Sequence, residues 1–126
     1  MPALFLVMAG GAVGAAFRYQ LGLAAYRLFG PGFPWGTWAA NILGGFLMGL
    51  LAAVLARHGE LPTEPLRLLL GVGVLGGFTT FSSFSLEAYL MLSRGDTIGA
   101  LSYAVASVAG SLLALIAGIG FARVLA

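Results

Sequence analysis

Gly76-Gly-Phe-Thr-Thr-Phe-Ser-Ser-Phe-Ser-Leu-Glu87 lies inside an apolar stretch running from Leu66 to Leu92. Five hydroxyl residues (Thr79, Thr80, Ser82, Ser83, Ser85) alternate with Phe78, Phe81 and Phe84 at three-residue spacing. The midpoint of the stretch falls near Thr79. If the stretch spans a bilayer, its hydroxyls sit at the depth where an unpartnered polar group costs several kcal/mol. Polar groups at that depth face a cavity, another helix or a permeating ion.

Composition supports the bilayer. The 126 residues are 60% hydrophobic and 8% charged, with a mean hydropathy of +1.03. Such a balance belongs to a membrane protein. The six basic residues are all arginine, and they form no stripe that would bind nucleic acid. Without cysteine there is no disulfide and no thiolate metal site. The only histidine, His58, falls in a polar loop. The N-terminus lacks the charged start of a signal peptide and reads as a retained helix.

Working outward from residues 76–87, four apolar segments appear: 3–26, 35–56, 66–92 and 97–122. The shortest, at 1.5 Å per residue, covers about 33 Å and crosses a bilayer core. Pro2, Pro31, Pro34, Pro62 and Pro65 fall outside these segments or at their edges. The predicted fold is therefore one all-α domain of four transmembrane helices. Gly76 and Gly77, just before Thr79, predict a break near the middle of the third helix. Such a break frees backbone carbonyls that could bind a cation.

Arginines set orientation weakly. Arg57, Arg67 and Arg123 lie on the side of the termini, and Arg27 and Arg94 on the other, with Arg18 between. That near balance permits insertion in both orientations. Small-xxx-small pairs at Gly10/Gly14, Gly45/Gly49 and Gly73/Gly77 predict close helix packing.

Several polar positions carry two readings each. Asn41, inside the second span with Thr37 one turn before it, is either an interhelical hydrogen bond or a donor facing an anion. Phe81 and Phe84 either pack or present positive ring edges to an anion. Tyr103, Ser107 and Ser111 form a stripe along the fourth span, or else bond back to their own helix. Arg18 and Glu87 are the two charges clearly within the spans; they could pair, or each could find polar partners at a pore entrance. Gly71–Gly76 matches GxGxxG, but it lies in a transmembrane run rather than after a strand, so a dinucleotide site is rejected. No nucleophile–base pair or metal-ligand cluster is present in the sequence, which excludes an enzyme of ordinary kind.

With these residues in view, the chain resembles the Fluc/CrcB family of small fluoride channels over nearly its whole length. GGAVGAAFRY (10–19), GTWAANILGGF (36–46), GGFTTFSSFSLE (76–87) and Tyr103, Ser107, Gly110 and Ser111 carry the resemblance. It implies an antiparallel, dual-topology homodimer in a prokaryotic inner membrane, passively exporting fluoride. It implies that Asn41, Phe81 and Phe84 line each pathway, continued by Tyr103, Ser107 and Ser111, with Ser82, Ser83 and Thr37 as further candidates. Carbonyls of Gly76 and Thr79 would hold a structural sodium ion. Arg18 would lie near a pore mouth, and Glu87 would be a conformationally important carboxylate. The implied partners are fluoride, a second copy and lipid. Two rivals remain: a small dual-topology proton-coupled multidrug exporter, whose acidic first span this chain lacks, and a structural subunit of a larger membrane complex.

Overall fold

A computed structural model describes residues 2–57 and 63–125, so His58 and Pro62 lie outside the described residues. The described residues are all-helical. Helix α1 is Ala3–Phe29 and α2 is Trp35–Arg57. A third span, Thr63–Ser93, is composite. It begins with α3 (Thr63–Leu66), widens into a π-helical stretch (Arg67–Leu75) and returns to α-helix in α4 (Gly76–Phe78). It resumes as α5 (Ser82–Ser93), and α6 (Thr97–Leu125) follows. All four spans are long and apolar enough to cross a membrane. They outrun the sequence-predicted segments by up to a turn at some ends.

The helices are apolar all round, as spans are and soluble helices are not. Few side chains are buried within the protomer; Tyr103, Ala40 and Met91 are among them. Large hydrophobics such as Ile98, Leu113 and Val124 point outward, a surface suited to lipid.

With little hydrophobic gain available between helices in lipid, close backbone approach holds the bundle. α1 packs on the π-helical stretch and α4, whereas α2 packs on α6. The glycine pairs divide between these two seams. A Cβ on Gly10 would meet the Leu69 carbonyl and lie 2.8 Å from the Gly73 Cα; one on Gly77 would lie 2.6 Å from the Gly11 carbonyl oxygen. Across the other seam, Gly45 would meet the Ser111 carbonyl oxygen at 2.8 Å, and Gly49 the Leu115 carbonyl. Gly76 differs: a Cβ there would meet only the Gly71 carbonyl oxygen, at 3.7 Å.

Helix ends are secured by side chains. Arg57, the last residue of α2, donates from Nη1 to the Ala122 carbonyl at 3.1 Å, near the negative end of α6. Trp38 Nε1 donates to the Ala106 carbonyl at 3.3 Å, fixing α2 against α6. Gly30, at φ 76°, ends α1 in a conformation that glycine adopts readily.

Candidate functional site

The third span leaves helical geometry at Thr79, whose φ of −86° and ψ of 158° are extended. The adjacent glycines do not supply that turn, because Gly76 is still helical at φ −63° and ψ −37°. Thr79 anchors itself locally. Its N–H and its Oγ1 donate to the Leu75 carbonyl at 3.0 Å and 2.9 Å. Its methyl fills the space that Gly44 leaves by having no Cβ.

Asn41 then takes over Thr80. Its Nδ2 donates to the Thr80 carbonyl at 3.0 Å, and the Thr80 N–H donates to its Oδ1 at 2.8 Å. The amide thereby replaces a missing stretch of backbone pairing. Thr80 in turn starts α5: its Oγ1 accepts from the Ser83 N–H at 3.2 Å and sits 3.3 Å from Ser82 Oγ. A hydroxyl accepting from the amide three residues on is an N-cap device.

These side-chain bonds have a consequence for the carbonyls. In an unbroken helix Thr80 N–H would close on the Gly76 carbonyl, and Ser83 N–H on that of Thr79. Both donors are engaged by side chains instead. The carbonyls of Gly76 and Thr79 thus lose their helical partners. The Gly77 carbonyl accepts from Arg18 Nε at 3.3 Å.

Asn41, Thr79, Thr80, Phe81, Phe84, Ser107 and Ser111 line one groove of about 500 Å³. The rings of Phe81 and Phe84 are 5.5 Å apart. Phe81 is 77% exposed, so most of its surface has no protein neighbour in the protomer. Ser107 Oγ is buried and has no hydrogen-bond partner among the described residues. Ser111 Oγ donates to the Val108 carbonyl at 3.2 Å, the back-bonded alternative. Asn41 uses one Nδ2 proton on Thr80 and keeps a second. No carboxylate lines the groove.

Other sequence-predicted positions lie elsewhere. Ser82 is exposed, and neither it nor Ser83 lines the groove. Thr37 faces a second cavity of about 310 Å³, shared with Glu87 and Arg94 beneath the α1–α2 connection. Tyr103 is fully buried and packs against Phe84 with ring centroids 4.9 Å apart and planes tilted by 49°; its hydroxyl donates to Glu87 Oε1 at 3.1 Å. Arg18 and Glu87 therefore have separate partners, Gly77 and Tyr103. Sequence reading missed Thr80 as the residue that Asn41 holds, and Trp38 as the tie to α6. The hydroxyl three residues before the Ser83 amide was a visible capping signal for Thr80; nothing comparable marks Trp38.

Comparison with known proteins adds an independent observation. Residues 5–119 match the family model described as CrcB-like protein, Camphor Resistance (CrcB). A Phenylobacterium zucineum protein named fluoride-specific ion channel FluC is 59% identical over 123 residues, 98% of this chain and 97% of its own length. Proteins of the same name from Sphingopyxis alaskensis and Caulobacter vibrioides are 56% and 54% identical. The former match covers 94% of this chain and 93% of its own length, and the latter 98% and 97%.

Proposed function

The chain belongs to the CrcB family and is a multi-pass membrane protein, and from that premise we propose that it is a fluoride-specific channel, not an enzyme. It passively exports fluoride across a prokaryotic inner membrane. One observation carries the reading: the groove around Asn41 offers hydrogen-bond donors and no carboxylate. Fluoride is small and strongly hydrated, so donors must replace its water. The spare Asn41 proton, the unpartnered Ser107 hydroxyl and the positive edges of Phe81 and Phe84 supply them. Several weak donors in file release the ion as readily as they accept it.

The conducting unit is an antiparallel homodimer. A 77% exposed phenylalanine on an open groove is half a wall, and a second copy would supply the other half. The near balance of arginines permits opposite insertion of the two copies. A structural sodium ion at the dimer centre completes the unit. The Gly76 and Thr79 carbonyls fit it, because both have lost their helical donors and both are hard oxygen ligands. When bound, the ion would neutralise the dipoles gathered at the break.

Reconstitution in liposomes tests the channel. A fluoride electrode should record efflux that far exceeds chloride efflux and falls in Phe81→Ile. Absent fluoride flux, or equal chloride flux, overturns the reading. Flux that requires a proton gradient would favour the exporter, although the first span holds no acid.

A further inference from the structure

Where α2 and α6 end, a second polar feature stands apart from the Asn41 groove. Arg57 and Arg123 flank a cavity of about 390 Å³ walled by Ala52, Ala53, Ala56 and Ile119. Volumes of this size accommodate small ligands. Both arginines lie in the last turns of membrane-spanning helices, at interfacial depth. The three alanines leave a smooth apolar slot running from that level toward the membrane interior.

Among the described residues, the charges lining this cavity have one sign. Among the described residues the one ion pair is Arg67–Glu64, and Glu87 and Asp96 bond to Tyr103 and to the Gly99 N–H. Among the described residues Arg57 makes one hydrogen bond, from Nη1 to the Ala122 carbonyl, out of the five N–H donors of its fork. Arg123 is exposed. Two guanidinium groups above an apolar slot complement a phosphodiester with a hydrocarbon chain attached, because guanidinium matches phosphate oxygens two at a time.

We infer that this cavity is a binding site for an anionic glycerophospholipid, with the phosphodiester on Arg57 and Arg123 and one acyl chain in the Ala52–Ala53–Ala56 slot. A zwitterionic lipid of the same chain length fits the slot but carries an ammonium that the arginines repel. A free phosphate ester has the charge and lacks the chain. The site is independent of fluoride conduction, so failure of the channel reading leaves it standing.

Native mass spectrometry of the purified protein in mild detergent tests this. The probes are phosphatidylglycerol, phosphatidylcholine with identical chains, and glycerol 3-phosphate. Wild type should bind phosphatidylglycerol preferentially and glycerol 3-phosphate hardly at all. Each arginine near an anionic headgroup contributes about five-fold in affinity, so Arg57→Gln with Arg123→Gln should cut the preference by about 25-fold. Arg123→Gln alone, at an exposed side chain with no hydrogen bond among the described residues, should cut it about five-fold. Arg27→Gln, at the opposite end of the bundle, should leave it unchanged. Ala53→Leu fills the slot and should weaken phosphatidylglycerol binding with the charges intact. Equal binding of the two lipids, an undiminished preference in the arginine variants, or undiminished binding in Ala53→Leu overturns the inference. Glycerol 3-phosphate binding as tightly as phosphatidylglycerol would make this a site for soluble phosphate esters and overturn it also.

Discussion

Asn41 and Thr80, 39 residues apart, are joined by both halves of one amide: Nδ2 donates to the Thr80 carbonyl at 3.0 Å while the Thr80 N–H donates to Oδ1 at 2.8 Å. A side chain here completes backbone pairing that the helix has given up. The second Nδ2 proton remains for the groove, so under the proposed function structural and ion-facing roles meet in one residue.

Asn41→Asp disturbs both roles at once. An ionised carboxylate cannot donate to the Thr80 carbonyl, and it places a negative charge beside an anion path. Fluoride efflux from liposomes should fall by at least about ten-fold, the equivalent of one lost net hydrogen bond of ~1.4 kcal/mol. Asn41→Ala leaves the Thr80 N–H and carbonyl unpaired, and should lower stability by about 1–3 kcal/mol for each group that finds no other partner. Thermal unfolding in detergent would register it. Wild-type stability in Asn41→Ala would mean that water or lipid satisfies Thr80 equally well.

Ser107→Ala makes the opposite pattern. Among the described residues the buried Ser107 hydroxyl has no hydrogen-bond partner, so its removal breaks no hydrogen bond they make. Stability should stay within about 0.5 kcal/mol of wild type or rise, while fluoride flux falls. A drop in stability with flux preserved would place the hydroxyl in packing rather than on the pathway.

Much of this site was legible because polar residues at mid-membrane depth stand out by type: Asn41, Ser107 and the Thr-Thr pair were each visible alone. Their pairings were not. Nothing local links Asn41 to Thr80, because the bond is made across helices, beyond the reach of i, i+4 reasoning. Residue types left Arg18 either to pair with Glu87 or to find a polar partner of its own; that partner is the Gly77 carbonyl, and carbonyls are invisible in a sequence because every residue has one. The π-helical Arg67–Leu75 stretch was equally hidden, since an apolar run looks the same at either helical pitch. Gly76 keeps helical dihedrals while Thr79 is extended, so this local departure goes with the side-chain bonds of Thr79 and Thr80 and not with glycine freedom.

Arg18 and Glu87 should act independently. With Gly77 and Tyr103 as their separate partners, a double-mutant cycle of Arg18→Gln and Glu87→Gln should give a coupling energy below about 0.5 kcal/mol in thermal stability. Exchanging the two charges should not restore function. A coupling well above that bound would mean that the two side chains meet directly or share a network.

Gly76 and Gly77, though adjacent, should respond to alanine in opposite ways, and the contrast tests the dimer. A Cβ on Gly77 would lie 2.6 Å from the Gly11 carbonyl oxygen, a backbone atom that cannot swing away. Gly77→Ala should therefore push α1 from the third span and destabilise the protomer by about 1–3 kcal/mol. A Cβ on Gly76 would meet nothing closer than 3.7 Å in its own chain. Within one protomer Gly76→Ala is harmless, and helix propensity slightly favours it. If a second copy approaches at Gly76, with the freed carbonyls of Gly76 and Thr79 around a shared sodium ion, the added methyl meets that copy. The expected outcome is a protomer of unchanged helicity whose monomer–dimer equilibrium, followed by single-molecule photobleaching in liposomes, shifts toward monomer. Replacing sodium with a bulky organic cation should shift wild type the same way. A Gly76→Ala protein that dimerises as tightly as wild type, in sodium and without it, would place the contact between copies somewhere other than the helix break.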